Sequence, residues 1–126
     1  MDAARLERAL RGACLAEDIR ILPDGVKTAI GENGINLSGG QKTRVSLGRA
    51  LYSQSNVYLF DDILSAVDVH VAEHILREAV GTALKGKTVI MATHATKFAH
   101  FADRIILMNA GSIVAEGNSQ TITNMK

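Results

Sequence analysis

At 126 residues, 47% of them hydrophobic, the chain is long enough for one domain with a modest core and too apolar for a disordered polymer. Lys and Arg number 14 against 13 Asp and Glu, which argues against a general polyanion-binding role, and no basic stretch carries the interleaved aromatics of a nucleic-acid surface. A single cysteine, Cys14, excludes an internal disulfide and fits a reducing compartment, and no apolar run reaches the roughly 18 residues of a membrane span.

Leu6, Ala9, Leu10, Ala13 and Cys14 recur at helical spacing and predict an amphipathic helix over residues 3–17, with Arg5, Glu7, Arg8 and Arg11 facing elsewhere and Cys14 buried as a small hydrophobe. The stretch is not expected to be a signal peptide, because Asp2 and Glu7 interrupt it and it has no apolar centre. Pro23-Asp24-Gly25 is a turn signal. Residues 28–37 read as an irregular connector: Gly31 and Gly34 allow tight bends, Ile35 and Leu37 anchor it, and Glu32 and Asn33 are solvated.

A helix is expected from Gly40 to Ser53, burying Val45, Gly48, Leu51 and Tyr52. Glycine inside a helix costs about 1 kcal/mol against alanine, so close packing is the expected reason for Gly48. Lys42, Arg44 and Arg49 read as solvated charges or ion-pair partners. Val57 to Phe60 is a continuous apolar run, which predicts a strand buried on both faces of a parallel sheet. Asp68 stands where an N-cap belongs, ahead of a helix to about Leu84 whose inner stripe is Ala72, Ile75, Leu76, Ala79 and Ala83. His70 and His74 have the spacing of a metal pair but no third ligand, and read as exposed. A second buried strand is expected at 88–92, then a short helix at 96–102 with Phe98 and Phe101 inward and His100 structural. A third strand at 104–108, a hairpin turn Asn109-Ala110-Gly111-Ser112 and an antiparallel return follow, with Gly117 breaking the strand and Ser119 opening a last helix.

Three short stretches carry chemistry. In Leu37-Ser38-Gly39-Gly40-Gln41, Ser38 and Gln41 have capping-box spacing, and the glycines leave backbone N–H groups bare at the positive end of a helix dipole, where anions are favoured. Alone, that stretch reads as an ordinary cap. Asp61 and Asp62 follow the apolar strand at its carboxyl end, the side on which open α/β sheets place ligands. One carboxylate there can hold magnesium through water, and the second can orient or deprotonate an attacking water. Ser65-Ala66-Val67-Asp68 is a polar loop before the next helix, and Thr93-His94 closes the second strand, where a neutral imidazole can hydrogen-bond a phosphate or a water.

In this order and spacing, Leu37–Gln41 resembles the signature motif of ATP-binding cassette (ABC) ATPases, Val57–Asp62 their Walker B strand, Ser65–Asp68 their D-loop and Thr93-His94 their switch histidine. The run from Ile21 to Asp68 is similar to the first nucleotide-binding domain of subfamily C, multidrug-resistance-associated exporters, and the resemblance covers nearly the whole chain. It implies a partial P-loop NTPase of the α/β class: a mostly parallel sheet with flanking helices and a C-terminal hairpin. Residues 1–53 would supply part of a helical lobe with the signature helix, and residues 54–126 the catalytic core from Walker B onward. The phosphate-wrapping loop that ends in Gly-Lys-Ser/Thr has no counterpart, since Lys42 lies inside a helix and Gly86-Lys87-Thr88 lacks the upstream glycines. The family's glutamine loop is missing too. The chain is therefore expected to be the C-terminal portion of such a domain. The family's strand into the phosphate loop lies between 88–92 and 104–108, so those strands are expected to show unpaired edges.

The resemblance also implies function. Ser38, Gly39, Gly40 and Gln41 would contact ATP held by a second cassette. Asp61 would hold Mg2+. Asp62 and His94 would be catalytic toward ATP on this domain's own side, and Asp68 would signal across the pair. The partners implied are ATP, a second nucleotide-binding domain and the transmembrane domains of an exporter, at the cytosolic face of a membrane. Most ABC domains carry Glu where Asp62 stands, and subfamily C first cassettes often carry this Asp with weak hydrolysis. The expected role is an ATP hydrolase domain that mainly binds ATP and activates its partner, inactive by itself without the phosphate loop. The alternatives are a non-hydrolysing module docking on another ABC domain and a soluble ABC ATPase. The family commonly has Pro where Ile63 stands, which leaves the following loop's geometry open.

Overall fold

The computed structural model describes residues 1–31 and 37–125. The expectations placed on Glu32, Asn33, Gly34 and Ile35 lie outside the described residues. Two compact units make up the chain, Met1–Thr93 and His94–Lys126.

The first unit opens with helix α1, Ala3–Gly12, whose N-cap Asp2 accepts the Arg5 N–H at 3.0 Å. The helix does not continue to Glu17. Cys14 adopts φ 55, in the left-handed region, and a separate short helix α2 runs Ala16–Arg20. The break lets Ala13 and Leu15 both enter the core, which one straight helix would not allow. They meet Gly48 of helix α3, Gly39–Tyr52, where an added Cβ would stand 3.3 Å from Leu15 Cδ1 and 3.6 Å from Ala13 Cβ. Gly48 is thus a packing glycine, as its place in the helix suggests. Cys14, expected on the buried stripe, is only half-buried at the kink; burial is the main cause that raises its thiol above the ordinary value.

Strand β1, Val57–Asp61, pairs in parallel with β2, Thr88–Ala92, from Val57 opposite Thr88 to Asp61 opposite Ala92. Between them α4, Val69–His74, continues without interruption as a π-helix over Ile75–Ala83 rather than as one α-helix to Leu84. The widened turns include Val80, Gly81 and Thr82, which are weak helix formers. Ile75, Leu76 and Ala79 are buried against α1, and Gly12 sits where α1, α3 and this helix converge: a Cβ there would lie 2.9 Å from Leu51 Cδ1 and 3.4 Å from Ala79 Cα.

The expectation of strands buried on both faces is corrected. Tyr58 and Phe60 point into the core, but Val57 is 54% exposed, Leu59 73% and Ile90 59%. The described helices of this unit cover one face of β1, so the run alternates in burial although it does not alternate in composition.

In the second unit a 3-10 turn, Thr96–Phe101, buries Phe98 and leaves Phe101 half-buried. Strand β3, Ile105–Asn109, pairs antiparallel with β4, Ser112–Gly117. Ala110 at φ 47 and Gly111 at φ 78 form the turn, the two positive angles of a tight hairpin. Gly117 is the last residue of β4 rather than a break after it, and α5, Ser119–Thr123, is capped by Asn118. Among the described residues, the β1–β2 pair and the β3–β4 pair are separate two-stranded sheets.

Candidate functional site

The α3 mouth is built by a reciprocal cap. Gln41 N–H donates to Ser38 Oγ at 3.1 Å and Ser38 N–H donates to Gln41 Oε1 at 2.9 Å, a complete capping box. Lys42 N–H donates to the Ser38 carbonyl at 2.9 Å. The N–H groups of Gly39 and Gly40 are among the helix's first-turn donors and have no acceptor among the described residues. The two glycines have different reasons. At Gly39 an added Cβ would meet nothing within 4 Å, whereas at Gly40 it would stand 2.7 Å from the Ala66 carbonyl oxygen. Gly40 is required by the fold. Among the described residues, Gly39 fronts open space.

Ala66 belongs to the loop that β1 feeds. Asp61 is the last residue of β1 and is exposed. Asp62 takes φ 46, in the left-handed region, and its N–H donates to the Ala92 carbonyl at the end of β2, at 2.8 Å. Its own carbonyl accepts from Ser65 N–H at 3.1 Å and from Ser65 Oγ at 2.8 Å. Its carboxylate is left incomplete: Asp62 Oδ1 is shielded from solvent and has no hydrogen-bond partner among the described residues. Hydrogen bonds and contacts therefore join Asp62, Ser65 and Ala66 to Gly40 in one neighbourhood, which brings the first and second motifs together through the third.

Asp68 is committed locally. Its Oδ1 accepts from Val71 N–H at 3.0 Å and from His70 N–H at 2.9 Å, capping α4. The Val71 hydrogen bond is the main cause that holds its carboxyl below the ordinary value. His94 opens the second unit with an exposed ring and is assigned on motif order alone. His74 Nε2 lies 2.6 Å from the Arg11 carbonyl, so that nitrogen carries the proton and donates.

Sequence reasoning missed Asp18. The Gln41 amide Nε2 donates to Asp18 Oδ1 at 2.9 Å, and Arg44 grips both carboxylate oxygens while also donating to the Cys14 carbonyl. The pair is largely covered, with 14% of the Arg44 side chain and 22% of the Asp18 side chain exposed. Burial pushes the Asp18 carboxyl up, but hydrogen bonds from Arg44 and Gln41, with the Arg44 charge, outweigh it and hold the group below its ordinary value. No spacing rule links charges 26 residues apart on different helices, so nothing in the sequence announces this contact.

The residues present fit a phosphate with its magnesium in part. Open N–H donors and free space lie at Gly39, an exposed carboxylate stands at Asp61, and the covered Asp62 Oδ1 lacks the partner a buried oxygen ordinarily has.

The ABC transporter family model matches residues 6–65, the stretch that holds the α3 mouth, β1 and the loop after it. The chain belongs to the ABC transporter family, with its likeness in subfamily C. It is 48% identical over 94% of its length to ABC transporter C family member 8 of Dictyostelium discoideum. It is 48% identical over 94% of its length to ATP-binding cassette sub-family C member 3 of Rattus norvegicus, and 46% over 93% to ABC transporter C family MRP4 of Zea mays. It spans only 8% of each of these relatives.

Proposed function

We propose that this chain supplies the signature side of an ATP-driven exporter's composite nucleotide site: Ser38, Gly39 and Gly40 contact the γ-phosphate of ATP held by a second cassette. The observation that carries the reading is the open ground over Gly39, a glycine that nothing among the described residues requires, beside a Gly40 that the Ala66 carbonyl does require. A ligand that approaches the helix mouth closely gives Gly39 its reason.

On the chain's own side, Asp61 would hold Mg2+, and the covered Asp62 Oδ1, without a hydrogen-bond partner among the described residues, would orient or deprotonate an attacking water. His94 supplies an imidazole to the phosphate, and Gln41 keeps the turn in shape. Bound magnesium draws charge off the phosphate oxygens. Asp62 is one methylene shorter than the Glu usual in ABC domains, which supports weak hydrolysis here and a partner-activating role. Asp68, at the start of α4, signals across the pair, and closure of the pair drives the transmembrane domains from the cytosolic face of the membrane.

The test is a titration in two arms. Mg-ATP added to the chain alone gives no tight binding, because the sequence holds no Gly-Lys-Ser/Thr phosphate loop. A hydrolysis-inactive second cassette loaded with ATP binds the chain, and the nucleotide-free cassette does not. Equal binding with and without ATP would support the docking module instead.

A further inference from the structure

Gln41 faces two partners with opposite demands. Its amide has an oxygen that accepts and an NH2 that donates, and the two ends are nearly equal in shape. The cap needs the oxygen toward Ser38 N–H, 2.9 Å away. Within the cap, that one hydrogen bond alone opposes turning the amide over. Asp18 adds the second and stronger constraint: a carboxylate only accepts, so it tolerates the NH2 end alone, and it stands 2.9 Å from Nε2. The turned-over amide would set NH2 against N–H at Ser38 and oxygen against oxygen at Asp18. Arg44, three residues along the same helix, holds both oxygens of Asp18 and ties the assembly to the Cys14 carbonyl at the α1–α2 kink. The kink is thus part of the device, because it delivers α2 and its Asp18 to the α3 mouth.

We propose that Asp18 is a positioning residue for the signature turn: it locks the Gln41 amide in the one orientation that completes the Ser38 cap. The lock deepens the functional reading and rests on it, since its value is to present Ser38, Gly39 and Gly40 to phosphate in a fixed geometry.

Amide hydrogen exchange on the full 126-residue chain tests the lock by itself. Asp18→Asn can present either an oxygen or an NH2 to Gln41, so the orientation is no longer enforced, and exchange at the Ser38 amide rises by about fivefold, the effect of a weakened cap. The amides of Leu47 and Leu51, deep in α3, keep their wild-type rates. The reciprocal variant Asp18→Asn with Gln41→Glu restores protection at Ser38, because the acceptor-only group now sits at residue 41 and the donor at residue 18. A Ser38 rate unchanged in Asp18→Asn overturns the proposal. So does a rise spread evenly along α3 that the double variant fails to reverse, because that is loss of packing. Association with an ATP-loaded cassette reads the other layer. If Ser38 responds as stated while even the wild-type chain ignores ATP-loaded cassettes, the lock stands and the reading of the mouth as a phosphate site falls.

Discussion

The mouth of α3 and the tip of β1 meet at the Gly40–Ala66 contact, yet they are finished to different degrees. At the mouth, Ser38, Gln41, Asp18 and Arg44 satisfy one another, and the geometry exists before any ligand arrives. At the tip, Asp62 holds a backbone angle that side chains seldom adopt and a covered carboxylate oxygen with no partner among the described residues. Local strain and unpaired polar groups gather where a ligand completes the chemistry. The contrast fits the division of labour proposed above. The mouth has to be rigid to receive a phosphate that another cassette carries, and the tip awaits its own.

The two glycines of the mouth give the largest effects and the sharpest break. Gly40→Ala drives a Cβ to 2.7 Å from the Ala66 carbonyl, which is backbone and cannot swing aside. Overpacking of this kind costs about 1–3 kcal/mol, read as a lower urea midpoint with the slope unchanged. Gly39→Ala meets nothing within 4 Å. Alanine is the better helix former, so stability holds or rises by up to about 1 kcal/mol. Association with an ATP-loaded cassette nevertheless weakens by about tenfold or more, since each lost charge-assisted contact is worth about 1.5–3 kcal/mol. Adjacent glycines, one sensed by the fold and one by the ligand, would then be separated experimentally. Equal stability losses would erase the distinction.

The completed state of the mouth also predicts a pH dependence. Asp18 is held below its ordinary value, about 3.9, so its contribution is whole above the unfolded value and is lost as pH falls through the folded one. Asp68 is lowered as well and titrates in the same direction. The difference between wild type and Asp18→Asn isolates the first group. That difference is about 1–2 kcal/mol at neutral pH and shrinks toward zero on acidification below about pH 4, followed by urea midpoints at each pH. A difference independent of pH would mean that the charge on Asp18 does not hold Arg44 and Gln41.

What the sequence made legible was local or motif-borne. The capping box, the packing role of Gly48, the cap at Asp68, the hairpin at 109–112 and the order of the four motifs all follow from short spacings, and the structure has each of those local elements. The motif order carried the family as well. What was not legible depends on tertiary company. The period of the first helix ran to Cys14 because Ala13 and Cys14 continue its apolar stripe, and the structure instead turns the backbone left-handed at Cys14, so that Ala13 and Leu15 both pack against Gly48. The apolar run 57–60 promised two covered faces, but covering a face takes layers that a run cannot reveal. The π-helical continuation of α4 and the Asp18–Arg44 pair have no spacing signature at all. His94 was legible as a motif, and its role remains a proposal on that ground.

The smallest predicted effect has the unusual sign. Asp62→Gly removes both costs borne at the tip of β1. Glycine adopts φ 46 freely, whereas a side chain in that region costs about 1–2 kcal/mol, less for Asp than for most residues. Deleting the carboxylate also removes the covered, unpartnered Oδ1, worth about 1–3 kcal/mol when left unmade. Against this stands the entropy of glycine, about 0.5–1 kcal/mol. The balance favours the variant by about 1 kcal/mol, at the low end because Asp62 as a whole is only half-buried. A raised urea midpoint in Asp62→Gly, together with an unaffected mouth in the Ser38 exchange rate, would show that Asp62 is kept at the expense of stability, as residues selected for chemistry are. A lowered midpoint would mean that the carboxylate already has a structural partner in the free chain, and the contrast between a finished mouth and an unfinished tip would not hold.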